Sequence, residues 1–310
     1  MNDKPIILFD TDMDTDCDDA GAFAMLLRAH KAGEAHLLGV IADSVSPYAA
    51  SCCEAIARYY GIDIPVGAVH TADYCSSENA ARFAAYLAHS ENLKSRRSYN
   101  HILAAPLAKT DADYPSAKET YRRLLAEAED QSVTVLCVGM LTALTELLTS
   151  EADGISALSG VELVSRKVSR VIAVGNPEKE NDFNWSMDAV AAETFFALCP
   201  VPVYISADGS DVITGETLSR LCPTDHPIRR AYERWLGKPD FGRASWDLIA
   251  ALYAMVPETP LLAVNPCGTC NFDAANKRTV FTAGARQDMR ITRTCPADAM
   301  AAELNKRMTE

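Results

Sequence analysis

The sequence predicts an α/β fold, a mostly parallel sheet flanked by helices in a Rossmann-like arrangement. Short apolar, β-branched runs alternate with longer segments of helical periodicity, the pattern of βαβ units. The strand-like runs are continuously apolar rather than alternating, as expected for strands covered on both faces. With 310 residues, 48% of them hydrophobic, the chain can bury a large core. No repeat or linker interrupts the pattern, so one domain over 1–310 is expected.

The elements follow in order. Ile6 to Phe9 reads as the first strand, and Asp18 to Lys31 as a helix with Ala22, Met25 and Leu26 on its inner face. Leu37 to Ala42 is the second strand, followed by a helix from about Tyr48 to Tyr60. Strands at Val133 to Val138 and Val168 to Val174 are each followed by a helix, Leu141 to Ser150 and Met187 to Leu198. Val201 to Ser206 is a further strand, and Trp246 opens a helix that runs to Met255. Residues 70–118 read as helices and loops over one end of the sheet, with a helical patch at Asn79 to His89 and a basic stretch from Lys94 to Arg97. Residues 265–295, with strand-like pieces at Thr279 to Phe281 and Met289 to Thr292, read as a small antiparallel C-terminal appendage.

The formal charge of −13 argues against nucleic-acid polymers and anionic membranes as partners, but not against a neutral small molecule. No apolar run could cross a bilayer, and no basic stretch precedes an apolar one at the N-terminus. A cytoplasmic protein with reduced thiols is the expectation for its ten cysteines. The CxxC of Cys267 and Cys270 lacks the second pair a zinc ribbon needs, so it reads as a loop with two free thiols.

One segment is not explained by folding alone. Asp10, Asp12, Asp14, Asp16, Asp18 and Asp19 crowd into ten residues where a buried strand should end and a helix begin. Asp is a poor residue in strand and helix interiors, and so many carboxylates repel one another unless a cation or solvent separates them. One or two acids would suffice to cap a helix. An EF-hand loop does not fit: Thr15 stands where its Gly is needed, Gly21 where its bidentate Glu is needed, and a strand precedes it. A haloacid-dehalogenase-type phosphatase would take Asp10 as nucleophile and Asp12 as partner, yet Asp14 breaks its pattern, and the late Asp208 to Asp211 segment is a weak match to its second acidic motif.

Four motifs in order resemble the inosine-uridine-preferring nucleoside hydrolase family. Asp10 and Asp12 followed by Asp18, Asp19 and Ala20 resemble its acidic hallmark, with a loop two residues longer than in the best-known members. The Val135 to Thr142 segment resembles its strand ending in Gly-x-Leu-Thr, here Gly139 to Thr142. Gly175 and Asn176 followed by Asp182, Phe183 and Asn184 resemble its Gly-Asn … Glu-Phe-Asn segment, and Asp188 its next helix start. Ser245, Trp246 and Asp247 resemble its late His-Asp. The similarity runs from about residue 5 to 260.

The resemblance implies a calcium-dependent hydrolase of the N-glycosidic bond of a ribonucleoside or related N-riboside, commonly a homodimer or homotetramer. It implies Asp12, Asp19, the Val138 carbonyl and Asp247 as metal ligands, and Asp12 as the base that activates the metal-bound water. Asp18 and Asn184 would bind the ribose hydroxyls, and Asn176 and Asp182 would reach the 5′ side. None of the implied ligands is His or Cys, which argues against zinc.

The departures concern the leaving group. Trp246 stands where well-known members have the His associated with protonating the base; Trp cannot act as an acid, although it can stack on a base. Asp182 is one methylene shorter than Glu, and Ser46 falls nearest an Asn that contacts ribose. Tyr48, Tyr74 and His70 are possible substitutes for the missing acid, each more often structural. His30 and His36 read as surface residues, His101 and His226 as residues of polar loops, and Trp185 as either core or cleft lining. Two other readings stay open: a magnesium-dependent phosphatase, and a calcium-dependent ribose- or nucleoside-binding protein without turnover.

Overall fold

The computed structural model describes residues 4–44, 46–70, 97–284 and 286–310. β1 (Ile6–Thr11) lies between β2 (His36–Ala42) and β4 (Val133–Cys137), parallel to both. Outward from β2 lies β3 (Val66–Ala68), and outward from β4 lie β5 (Val168–Val174) and β6 (Val203–Ser206), all parallel. The chain therefore leaves β1 in one direction and later returns to its other side. That reversal opens a crevice beyond the carboxyl ends of β1 and β4, the place where open α/β sheets bind ligands.

The C-terminal strands are antiparallel to one another, as expected, and they continue the same sheet. β11 (Asp288–Arg293) pairs parallel with β6 and antiparallel with β9 (Leu262–Asp273), and β9 pairs antiparallel with β10 (Arg278–Thr282). The nine strands run β10-β9-β11-β6-β5-β4-β1-β2-β3. A separate two-stranded ribbon joins β7 (Ile213–Thr214) to β8 (Arg243–Ala244). No helix among the described residues is long and apolar enough to cross a membrane.

Successive residues of β1 enter two different cores, which is why its sequence does not alternate. Ile7 and Phe9 pack on one face and Leu8 on the other, all fully buried. Each such side chain contributes about 1.5–3 kcal/mol. The helix Asp18–Ala32 is buried beyond the expected face of Ala22, Met25 and Leu26, because the helices Trp246–Met255 and Ala297–Thr309 cover it. It stops at Gly33, whose φ of 71° puts the backbone in the left-handed region and turns its N–H back onto the last carbonyls.

Among the described residues the expected strands and helices are present, with ends shifted by a few residues. The helix expected over Met187 to Leu198 begins at Ala189, because Asp188 accepts a hydrogen bond from Ala191 N (3.1 Å) and caps it, and a separate short helix, Phe183–Met187, precedes it. β3 and the helices Ala117–Glu127, Gly160–Lys167, Pro227–Leu236 and Ala297–Thr309 had no counterpart in the pattern. These helices bury one stripe and expose the rest, so their apolar signal is thin.

The helical patch at Asn79 to His89 and the basic stretch up to residue 96 lie outside the described residues. Beyond them the chain forms the short helix Asn100–Ala104. Cys267 and Cys270 lie on β9, a strand and not the expected loop, and every described cysteine is free. Trp185 belongs to the core: it is fully buried, with its ring edge-on to Phe196 at 5.0 Å. His226 lies in the loop ahead of the helix Pro227–Leu236, as expected, and is buried there.

Candidate active site

The aspartate loop leaves β1 at the crevice and enters the helix Asp18–Ala32. It begins with a tight turn in which Thr15 N donates to Asp12 O (3.0 Å) and Thr15 Oγ1 to Asp12 Oδ2 (2.5 Å). Asp18 and Asp19 occupy the first helical turn, where the helix dipole favours negative charge. Thr11 Oγ1 donates to Asp19 Oδ1. Asp247 sits in the first turn of the helix Trp246–Met255, and its N–H donates to Asp18 Oδ2 (3.3 Å).

These two helix starts bring Asp18, Asp19 and Asp247 together. One carboxylate oxygen from each lies within 4.8 Å of the others, and all three side chains are buried. Asp12 lies outside this three-way group and lines the same cavity. Burial, then repulsion from a neighbouring aspartate (Asp16 for Asp18, Asp12 for Asp19, Asp18 for Asp247), holds the three carboxyls well above the usual range. Burial likewise raises Asp12 to about 6, opposed by the Thr15 hydroxyl. None of the four forms an ion pair with a Lys or Arg among the described residues. Buried carboxylates so arranged fit a hard divalent cation with oxygen ligands.

β4 supplies the opposite wall. Val138 N donates to Asp10 O (2.9 Å), which continues the β1–β4 pairing past the end of the strand. Gly139 then passes so close to the loop that a Cβ there would meet Asp12 N at 2.6 Å and Asp12 Oδ1 at 2.7 Å. The Val138 carbonyl already accepts a bond from Asn184 Nδ2 (2.7 Å), which also reaches Val174 O (3.2 Å). Asp182 accepts from Asn176 N (2.9 Å) and Trp185 N (3.4 Å), so it closes the 176–182 loop and caps the helix Phe183–Met187. Burial raises its carboxyl, and those backbone bonds oppose the shift.

These groups line a cavity of 440 Å³. Asp12, Asp18, Asp19, Val138, Asn176, Asp182, Asn184, Trp246 and Asp247 all contribute to its wall, so the expected metal ligands, base and substrate-binding residues are in one place. Arg243 and Ser206 are also in the wall, and neither stood out in the sequence. Arg243 holds Asp16, 227 positions away, through Nε at 2.8 and 3.0 Å and through Nη2. Its Cζ lies 5.4 Å from the centre of the Trp246 ring. Nothing in the local sequence around either residue signals that pairing.

Asp14, the other acid in the longer part of the loop, has a different partner. Its Oδ1 accepts from Tyr99 N (2.7 Å) and Asn100 N (3.1 Å), and its Oδ2 from Ser98 Oγ (2.5 Å). Asn100 Nδ2 in turn donates to Ser46 Oγ. The loop thus pins the 98–100 segment beside the position expected to contact ribose. Neither Tyr48 nor His70 belongs to the cavity wall, and Tyr74 lies outside the described residues.

The phosphatase reading fails on geometry. Asp10 is fully buried, accepts a bond from the Tyr121 hydroxyl, and is held well above the usual carboxylate range by burial and by Asp43. It is absent from the cavity wall, so no substrate in that cavity reaches it. Asp208 and Asp211 are instead engaged by Arg293, through its N–H (2.7 Å) and its guanidinium (2.7 Å).

A family model described as inosine-uridine preferring nucleoside hydrolase matches residues 7–299. No curated protein matches the chain. Among solved structures, the inosine-uridine preferring nucleoside hydrolase from Bacillus anthracis is similar at 15% identity and a TM-score of 0.65, covering 98% of this chain and 99% of that one. The purine-preferring ribonucleoside hydrolase from Gardnerella vaginalis is similar at 16% identity and a TM-score of 0.65, covering 98% of both chains. The type III effector protein XopQ, in complex with adenosine diphosphate ribose, is similar at 14% identity and a TM-score of 0.68, covering 100% of this chain and 94% of that one. At these identities the structural likeness establishes the fold.

Proposed function

The chain belongs to the inosine-uridine preferring nucleoside hydrolase family, a family of metal-dependent hydrolases acting on N-glycosyl bonds, and from that premise we propose calcium-dependent cleavage of a ribonucleoside into ribose and base. The observation that carries the reading is the buried group of Asp18, Asp19 and Asp247 in the same cavity as Asp12. Asp12, Asp19, Asp247 and the Val138 carbonyl would hold the cation, an oxygen-only set that suits calcium. When bound, calcium supplies a positive charge that lowers the pKa of water and helps to fix sugar hydroxyls.

The protein's own groups then have defined work. Asp12 takes the proton of the attacking water as the C1′–N bond breaks. The surrounding carboxylates favour the positive charge that develops on the sugar. Asp18 and Asn184 bind the 2′- and 3′-hydroxyls, while Asn176 and Asp182 face the 5′ side. Trp246 offers an aromatic face to the base.

We take residues 1–310 as one catalytic domain, a reading supported by the single nine-stranded sheet. The same proposal has the protein acting as a homodimer or homotetramer, which light scattering tests, and in the cytoplasm, with which the free cysteines among the described residues agree.

The test is direct. Incubation with inosine, uridine, adenosine and cytidine should release free base and reducing sugar in equal amounts. Binding of ribose without turnover on any of the four would favour the non-catalytic alternative.

A further inference from the structure

We propose that Arg243 stabilises the departing base, held in place for that task by Asp16 and Trp246. The inference rests on the hydrolase reading and addresses the step that Trp246 leaves open. When the C1′–N bond breaks, its electron pair stays on the base nitrogen. That charge needs a proton or a cationic hydrogen-bond donor. An indole offers one neutral N–H and no titratable proton.

Arg243 supplies a cation at the same wall. Its guanidinium carries five N–H donors in a fixed fork. The Nε edge and Nη2 are taken up by Asp16, and no bond to Nη1 is made among the described residues. The side chain is 37% exposed and lines the cavity together with Asp12, Asp19 and Asp247. It is also firmly located. Arg243 belongs to β8, Ser245 N donates to Gly209 O (3.0 Å), and Ser245 Oγ bonds Thr214 Oγ1 (2.8 Å). Arg243 and Asp247 therefore stand on one braced segment four residues apart, with the Trp246 ring against the guanidinium.

The acid that fixes the fork comes from the lengthened part of the aspartate loop. The extra acid and the missing histidine are thus joined by one contact. Arg stays charged at any working pH, so it donates a hydrogen bond and not its proton. In the overall step, the water oxygen bonds C1′ and its proton goes to Asp12. The base leaves as an anion held by Arg243 and takes a proton from solvent. Arg243 is a catalytic residue in this scheme, because it touches the leaving group; Asp16 is a positioning residue.

Leaving-group chemistry separates this role from a structural one. The fastest of the four nucleosides is compared with p-nitrophenyl β-D-ribofuranoside, whose nitrophenolate departs without help. Arg243→Gln is expected to lower kcat on the nucleoside by about 100-fold and on the aryl riboside by less than about 5-fold. Arg243→Lys keeps a cation against Asp16 and serves as the milder variant, with a loss of about 10-fold on the nucleoside only. Asp16→Asn should show the same selectivity. Equal losses on both substrates in Arg243→Lys, or an unchanged nucleoside rate in Arg243→Gln, would overturn the proposal. A wild-type protein that cleaves neither substrate overturns the hydrolase reading, and this inference with it.

Discussion

Asn184 Nδ2 donates to the Val138 carbonyl oxygen over 2.7 Å, so a group proposed to bind ribose orients a group proposed to bind the cation. The same amide reaches Val174 O and thereby ties the ends of β4 and β5 together. Asn184→Ala removes both bonds at once. We expect calcium affinity and kcat/KM each to fall by roughly 10- to 100-fold, as for other partners of metal ligands. Calorimetric titration with calcium checks the first, and nucleoside turnover the second. Unchanged calcium affinity would separate the two roles.

Asp12→Asn should abolish turnover, with a loss of about 1,000-fold in kcat, since an amide cannot accept the proton of water. The fold should survive and the melting temperature of the metal-free protein should hold or rise. Burial has already raised the Asp12 carboxyl to about 6, which means the fold disfavours its charge. Full activity in this variant would refute Asp12 as the base.

Calcium should stabilise the protein more at pH 7 than at pH 5. Asp12 is raised from an ordinary value near 3.8 to about 6 in the folded chain, so between those values the fold holds a proton that the unfolded chain has lost. Stability without metal therefore falls as pH rises through that window. Asp18, Asp19 and Asp247 are shifted in the same direction. A cation displaces those protons and binds more tightly once they are gone. Melting curves in chelator and in calcium at the two pH values test this, and an equal or larger calcium shift at pH 5 would contradict it. Activity should vanish in chelator and return with calcium.

Asp14→Ala should release the 98–100 segment. Two backbone N–H groups and the Ser98 hydroxyl lose their acceptor, and buried donors left so cost about 1–3 kcal/mol. The φ of Asp14 is 90°, a conformation that costs alanine more than glycine. Asp14→Gly should thus be about 1 kcal/mol more stable than Asp14→Ala in urea denaturation while lacking the same bonds. If alanine proves the more stable, the strain argument fails.

Much of the fold was legible because its parallel strands are buried on both faces and read as continuous apolar runs, as in Val133–Cys137 and Val168–Val174. The acidic residues of the candidate site were legible for a related reason. Asp18 and Asp19 are neighbours in a helix start, and a run of six acids is more than helix capping requires. What escaped notice were half-exposed helices such as Pro227–Leu236, whose apolar stripe is thin, and side chains whose work depends on distant partners. Asp14 and Asp16 look alike in the sequence, yet one anchors the 98–100 segment and the other holds Arg243.

The sequence by itself determined the fold class, the family and the residues that gather at the site, because each of these is written in local pattern: apolar runs, acid density and short motifs. Only the tertiary structure decided which partner each aspartate meets, above all for Asp14 and Asp16. A carboxylate is the same chemical group at positions 10, 12, 14, 16, 18 and 19, and what it does is set by whether Tyr121, Thr15, Tyr99, Arg243 or Asp247 faces it. Apart from Thr15, which is local to the loop, those partners arrive from distant parts of the chain, and proximity across such separations exists only once the chain has folded.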